Sequence, residues 1–193
     1  LKKINNNFTL KDLKDESLPV YDINFDQKKP FEKISINSNK YIFKCFNVAI
    51  NFYKDKKIIG FINCPVSKEH LFKNRYQGVT EYLSRKTGRI GKEVMLIFNK
   101  ELSVSPITTH ISVNQVSKNI NKSKIINNVK IINNFYIKNF KKKPIFGILG
   151  LNPHNISTSK KSEEINIISK AIKNLDNLKI KVMGPIAPDT SFV

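Results

Sequence analysis

The chain has no tryptophan, two cysteines and three histidines, and of its 34 basic residues only Arg75, Arg85 and Arg89 are arginine. Each shortage excludes something. Cys45 and Cys64 form no CxxC or Cys/His spacing, which argues against a structural zinc site or a disulfide framework. They read as reduced, partly buried thiols of a cytoplasmic protein. No apolar run approaches the roughly 20 residues that span a bilayer, so no membrane partner is expected. Nothing near Leu1 resembles a signal peptide. Neither GxGxxG nor GxxxxGK[ST] occurs, so neither standard phosphate-binding loop is present. The scarcity of arginine also bears on the net charge of +19. Phosphate and base recognition draws on arginine's planar fork, whereas this charge is almost all lysine. Lysine, asparagine and isoleucine rise together, as in "NKSKIINNVKIINN" (121–134). The three share A/T-rich codons, so base composition accounts for the charge. The lysines are scattered without interleaved aromatics, and no nucleic-acid partner is expected.

What is present is an ordinary globular composition: 193 residues, 40% hydrophobic, enough for one core or pieces of two domains. Apolar residues at helical spacing predict a helix from about 39 to 57. "KIIGFINCPV" (57–66) predicts a buried strand. "SKEHLFKN" and "TEYLSRKTG" predict short helices, the second with Thr80 as N-cap and Gly88 at its end. "EVMLIFN" (93–99) and "LSVSPITTHI" (102–111) predict two strands joined at Lys100 and Glu101. A long helix is expected from about Gln115 to Phe140, with Ile125, Val129, Ile132 and Tyr136 on one stripe. Strand (142–152), helix (162–175, N-capped by Ser162) and strand (178–184) follow. The alternation defines an α/β class with a largely parallel sheet and shows no internal boundary.

In open α/β sheets ligands bind beyond the carboxyl ends of the strands. Three polar groups are expected there: His110 after "VSPITT", His154 after "IFGILGLNP", and Asp189 after "KIKVMGPIAP". Two neutral imidazoles and a carboxylate suit a divalent ion. Position alone leaves two readings open, a metal ligand or a solvated turn histidine. Lys68, just past "FINCPV", is either an anion contact or one more surface lysine. His70 reads as a solvated helix residue.

Four fragments, in order, carry a resemblance. "INCPVSKEHLFKNRYQGVTEYLSRKTG" (62–88) resembles a Gly-Pro-x-x-Lys turn followed by Gly-His-Thr-Glu. "ITTHISVNQV" (107–116) resembles a Thr-Thr-His strand end. "GLNPHN" (150–155) resembles a Leu-Asn-Pro-His-Ala-Gly turn, and "MGPIAPDTSF" (183–192) a Gly-Pro-x-x-Ala-Asp-Thr-x-Phe loop. Together they are similar to the 4-hydroxythreonine-4-phosphate dehydrogenase family. The resemblance implies an isocitrate/isopropylmalate dehydrogenase-like α/β/α sandwich. It also implies a homodimer sharing its active site, NAD or NADP, and a divalent ion (zinc, magnesium or cobalt) held by three histidines. The expected reaction is oxidation and decarboxylation of 4-phosphohydroxy-L-threonine to 3-amino-2-oxopropyl phosphate. By motif position His110 and His154 are metal ligands, Thr80 contacts substrate, and Asp189 and Lys68 act near the reacting centre.

The departures are specific. "GVTE" places Val79 where the family has a substrate-binding histidine, and valine has no hydrogen-bonding group. "NISTSKKSEE" replaces a glycine-rich run after His154, leaving the cofactor contacts unassigned. The family's opening glycine-rich segment is not in the chain, nor is the Tyr-His-Asp-Gln-Gly motif that carries its third histidine. The chain is therefore expected to be an internal portion of a longer protein, or a truncated gene product. Two alternatives remain: a paralogue acting on another phosphorylated hydroxy acid, such as a threonate phosphate, or an inactive binding or scaffold protein.

Overall fold

A computed structural model describes residues 1–14, 16–73, 75–155 and 162–192. The sequence shows no internal boundary, yet the chain packs as two compact units, Leu1–Gly88 and Arg89–Val193. Both are mixed α/β.

The first unit opens with β1 (Lys2–Ile4) parallel to β2 (Pro19–Tyr21). Helix α1 (Ile36–Lys54) starts at Ser35, whose hydroxyl accepts from the Ser38 N–H at 3.1 Å while the Ser35 N–H donates to the Ser38 hydroxyl at 2.9 Å. This reciprocal cap satisfies two backbone donors at the helix start. Phe46 of α1 packs with Leu71 and Phe72 of α2 (Lys68–Phe72) and Tyr82 of α3 (Val79–Lys86), forming the core. Burial pushes the Tyr82 hydroxyl above its ordinary pKa, with a smaller contribution from Tyr76. The N-cap of α3 is Gly78, not Thr80, which lies in the first turn. Gly88 follows the helix with φ +68°, a left-handed end that suits glycine.

The expected strand at 57–66 does not form. The segment runs irregularly and leaves Ile59 and Ile62 fully exposed. An apolar run becomes a strand only when a neighbour takes up its backbone groups, and among the described residues none pairs with it. The pair expected at 93–99 and 102–111 shrinks to one antiparallel bridge, Ile97 to Val104, with N···O distances of 2.8 and 2.9 Å. His110 therefore does not end a strand; it sits in an irregular segment with φ +57°.

In the second unit the expected long helix is two: α4 (Val113–Asn119) and α5 (Lys122–Phe140). Ile120 is extended, and the Asn121 side chain accepts from the Lys124 N–H at 2.9 Å. Asparagine's capping bond competes with helix continuation and starts a new helix here. The stripe Ile125, Val129 and Ile132 is buried as expected. Strand β3 (Phe146–Leu149) pairs in parallel with β4 (Val182–Ile186) through Phe146–Val182, Gly147–Met183 and Leu149–Ile186. Gly184 lets the strands approach: an added Cβ would lie 2.4 Å from the Ile148 carbonyl oxygen. The helix expected from 162 opens with a wide π-helical turn, Glu164–Ile168, before α6 (Ser169–Asn177). The hydroxyl of Ser162 accepts from the Ile165 N–H at 3.3 Å, the expected cap. Ile125, Ile168, Ala171 and Ile172 form the core, with Ile148 and Val182 packed on it. Among the described residues no helix is long and apolar enough to cross a membrane.

Leu175 is completely buried, so Leu175→Ala should cost about 2–5 kcal/mol of stability, whereas Asn121→Ala, which removes one cap, should cost about 1 kcal/mol. Chemical denaturation of the two variants checks the ranking; equal losses would contradict it.

Candidate functional site

Strands β3 and β4 are hydrogen-bonded neighbours running the same way, so their carboxyl ends open on the same side. The loops that leave them meet. The Gly150 N–H donates to the Ile186 carbonyl at 2.8 Å, extending the ladder by one bond. The chain then turns through Leu151, Asn152, Pro153 and His154. The Asn155 N–H closes the turn on the Asn152 carbonyl at 3.0 Å, with Asn155 left-handed at φ +52°. The Asn155 side chain donates to the Pro185 carbonyl at 2.7 Å, and the Asp189 N–H reaches the Pro153 carbonyl at 3.4 Å. Asp189, in a short 3-10 turn after β4, places Oδ2 2.6 Å from His154 Nδ1.

The His154–Asp189 contact has a chemical consequence. A carboxylate only accepts hydrogen bonds, so in the neutral ring it holds the proton on Nδ1 and leaves the Nε2 lone pair available. The His154 side chain is 75% exposed, which keeps that nitrogen accessible. Of the three groups expected at strand ends, the structure joins two, His154 and Asp189. His110 is exposed and lies outside that pair. Among the described residues no three His, Cys, Asp or Glu side chains gather as a metal-binding group.

A residue the sequence reading missed lies behind the turn. Glu164 is 3% exposed, and its Oε1 accepts from the Leu151 N–H at 2.9 Å, the Asn152 N–H at 3.0 Å and the Asn152 side-chain amide at 3.0 Å. Burial pushes its carboxyl pKa up, but the hydrogen bonds, chiefly those from Asn152, outweigh it and leave the value below the ordinary glutamate range. In "SEEINII" this residue reads as one of two helix-start carboxylates; nothing distinguishes it from Glu163 except what lies beneath the helix.

The remaining candidates belong to the first unit. Lys68 opens α2, is exposed, and brings Nζ beside Gly78: a Cβ added there would meet Lys68 Nζ at 3.6 Å and Glu81 Oε2 at 3.1 Å. Thr80 is exposed in the first turn of α3, while Val79 packs against the aromatic core. His70 is exposed as expected, with Nδ1 2.8 Å from the Ser67 hydroxyl. Both cysteines are free; Cys45 is half-buried as expected, but Cys64 is exposed because the 57–66 segment forms no strand.

A histidine and a carboxylate, held together at the carboxyl ends of adjacent parallel strands, define the ligand-site class of an α/β protein. The family follows from comparison. The whole chain, residues 1–193, matches the family described as pyridoxal phosphate biosynthetic protein PdxA, and it belongs to that family. It is 36% identical over 179 residues to the 4-hydroxythreonine-4-phosphate dehydrogenase of Sulfurihydrogenibium sp., covering 90% of this chain and 55% of that one. It is 29% identical to the protein of the same name from Aquifex aeolicus, covering 95% and 58%. The crystal structure of 4-hydroxythreonine-4-phosphate dehydrogenase from Klebsiella pneumoniae superposes with a TM-score of 0.72 at 27% identity, over 83% of this chain and 49% of that one. The chain thus spans about half the length of the curated relatives it matches.

Because the folded Glu164 carboxyl has a lowered pKa, the stability it contributes is fully present above the ordinary glutamate pKa. That stability is lost as pH falls through the lower folded value. Thermal melts along an acid series should show this loss in the native sequence and a shallower acid dependence in Glu164→Gln. Identical acid limbs would contradict the assignment.

Proposed function

We propose that the full-length protein is an NAD(P)-dependent 4-hydroxythreonine-4-phosphate dehydrogenase. It oxidises and decarboxylates 4-phosphohydroxy-L-threonine to 3-amino-2-oxopropyl phosphate in pyridoxal phosphate biosynthesis. The observation that carries this reading is the family match across residues 1–193, joined to relatives that bear the name of that activity. Those names favour this substrate over a threonate phosphate, and an enzyme over a scaffold. The proposal includes an isocitrate/isopropylmalate dehydrogenase-like sandwich, a cytoplasmic homodimer with a shared active site, and His110 and His154 among three histidine ligands.

The His154 ring fits a divalent ion: Asp189 engages Nδ1, and Nε2 is open to solvent, the arrangement in which a neutral imidazole ligates zinc or cobalt. When bound, such an ion (zinc, magnesium or cobalt) stabilises negative charge on a substrate oxygen, and NAD or NADP takes up the hydride. This chain's own residues supply the setting. Asp189 keeps the proton on Nδ1 of His154 and so keeps the ring in its ligating tautomer. Lys68 offers positive charge to an anionic substrate at the start of α2. The Thr80 hydroxyl orients that substrate from the first turn of α3. Val79, packed on the aromatic core, offers the substrate no hydrogen bond.

The test is reduction of NAD or NADP by the full-length protein with 4-phosphohydroxy-L-threonine and added zinc, cobalt or magnesium. Turnover is expected, and His154→Ala should abolish turnover and metal retention together. Activity surviving that change would return His154 to the role of a solvated turn residue.

A further inference from the structure

We propose that Glu164 is a positioning residue for the His154 site: its buried carboxylate sets the direction in which the 151–155 turn presents the imidazole. The inference rests on the functional reading above. A buried carboxylate costs several kcal/mol unless hydrogen bonds or an ion pair compensate, and among the described residues no ion pair involves Glu164. Three of its donors belong to Leu151 and Asn152, three and two residues before His154, and its own backbone N–H adds to them. The three from the turn crowd onto Oε1, while Oε2 is buried without a partner among the described residues. A residue present only to fill the core would be apolar, and one present only to cap the helix is already supplied by Ser162. What the carboxylate does is aim two consecutive backbone N–H groups at the start of the helix that follows.

The opposite side of the turn is held by β4 and the loop after it, through the Asn155 side chain to Pro185 and the Asp189 N–H to Pro153. The backbone is thus clamped from two elements, and the exposed His154 ring is what remains to face a ligand. The wide turn at Glu164–Ile168 lies where the clamp is made. Such turns inside α-helices are frequent at functional sites.

The experiment uses the full-length protein, with zinc alone as the probe. Zinc affinity is measured by chelator competition, and the His154 ring nitrogens are observed by NMR without metal. Glu164→Gln should weaken zinc binding about 10–100-fold, the range for losing an outer partner of a metal ligand. It should also shift the metal-free His154 resonances, while Glu163→Gln, the same charge change one residue away, alters neither. Native-like affinity and resonances in Glu164→Gln, or equal effects in Glu163→Gln, overturn the proposal. Should Glu164→Gln not fold, Asn152→Ala keeps both backbone bonds and loses only the side-chain one. Shifted His154 resonances in that variant support the proposal, and unchanged ones overturn it. If zinc leaves the His154 resonances of the native protein unmoved, the metal reading fails, and the metal-free spectra still decide the role of Glu164.

Discussion

The second unit depends on one buried charge. Glu164 joins two segments, the start of the α6 helical segment and the turn that leaves β3, in addition to the apolar packing of Ile148 on Ile168. Hydrogen bonds to a charged group contribute about 1.5–3 kcal/mol each, and three of them stand against the desolvation of one carboxylate. Together the hydrogen bonds hold its carboxyl below the ordinary glutamate range against the opposing effect of burial. With this clamp in place, the parallel pairing of β3 and β4 does the rest. Adjacent carboxyl ends bring Asp189 to His154 across 35 residues of sequence, and the imidazole has its tautomer fixed before any ligand arrives.

The first unit is organised by packing. Phe46, Leu71, Phe72 and Tyr82 make the core, with Tyr76 and Val79 against it. Val79 stands where the family pattern has a hydrogen-bonding histidine, and here that position strengthens an apolar cluster instead. The polar capacity of the region passes to its neighbours: the exposed Thr80 hydroxyl, and Lys68 Nζ and Glu81 Oε2 gathered around Gly78. Gly78 is extended, a conformation open to any residue. What favours glycine there is space, since a side chain would press on the Glu81 carboxylate.

The sequence by itself determined the helices whose information is local. The left-handed glycine after α3, the Ser162 cap and the Ile125–Val129–Ile132 stripe could all be read from neighbours within a turn or two. It also determined the family, because four short motifs in order are a linear signal, and it marked His154 and Asp189 as strand-end groups. Only the tertiary structure decided the strands. Residues 57–66 and 93–111 have strand-like composition, but a strand exists by its partner's hydrogen bonds, and those were found for 146–149 with 182–186 and barely for Ile97 with Val104. It decided as well that two helices stand where one stripe ran, since the Asn121 cap outcompeted continuation. Above all it decided Glu164. Two adjacent glutamates are equivalent as letters and as charges. They differ because one turns beneath its helix to a pair of N–H groups twelve and thirteen residues away, and burial makes that difference large.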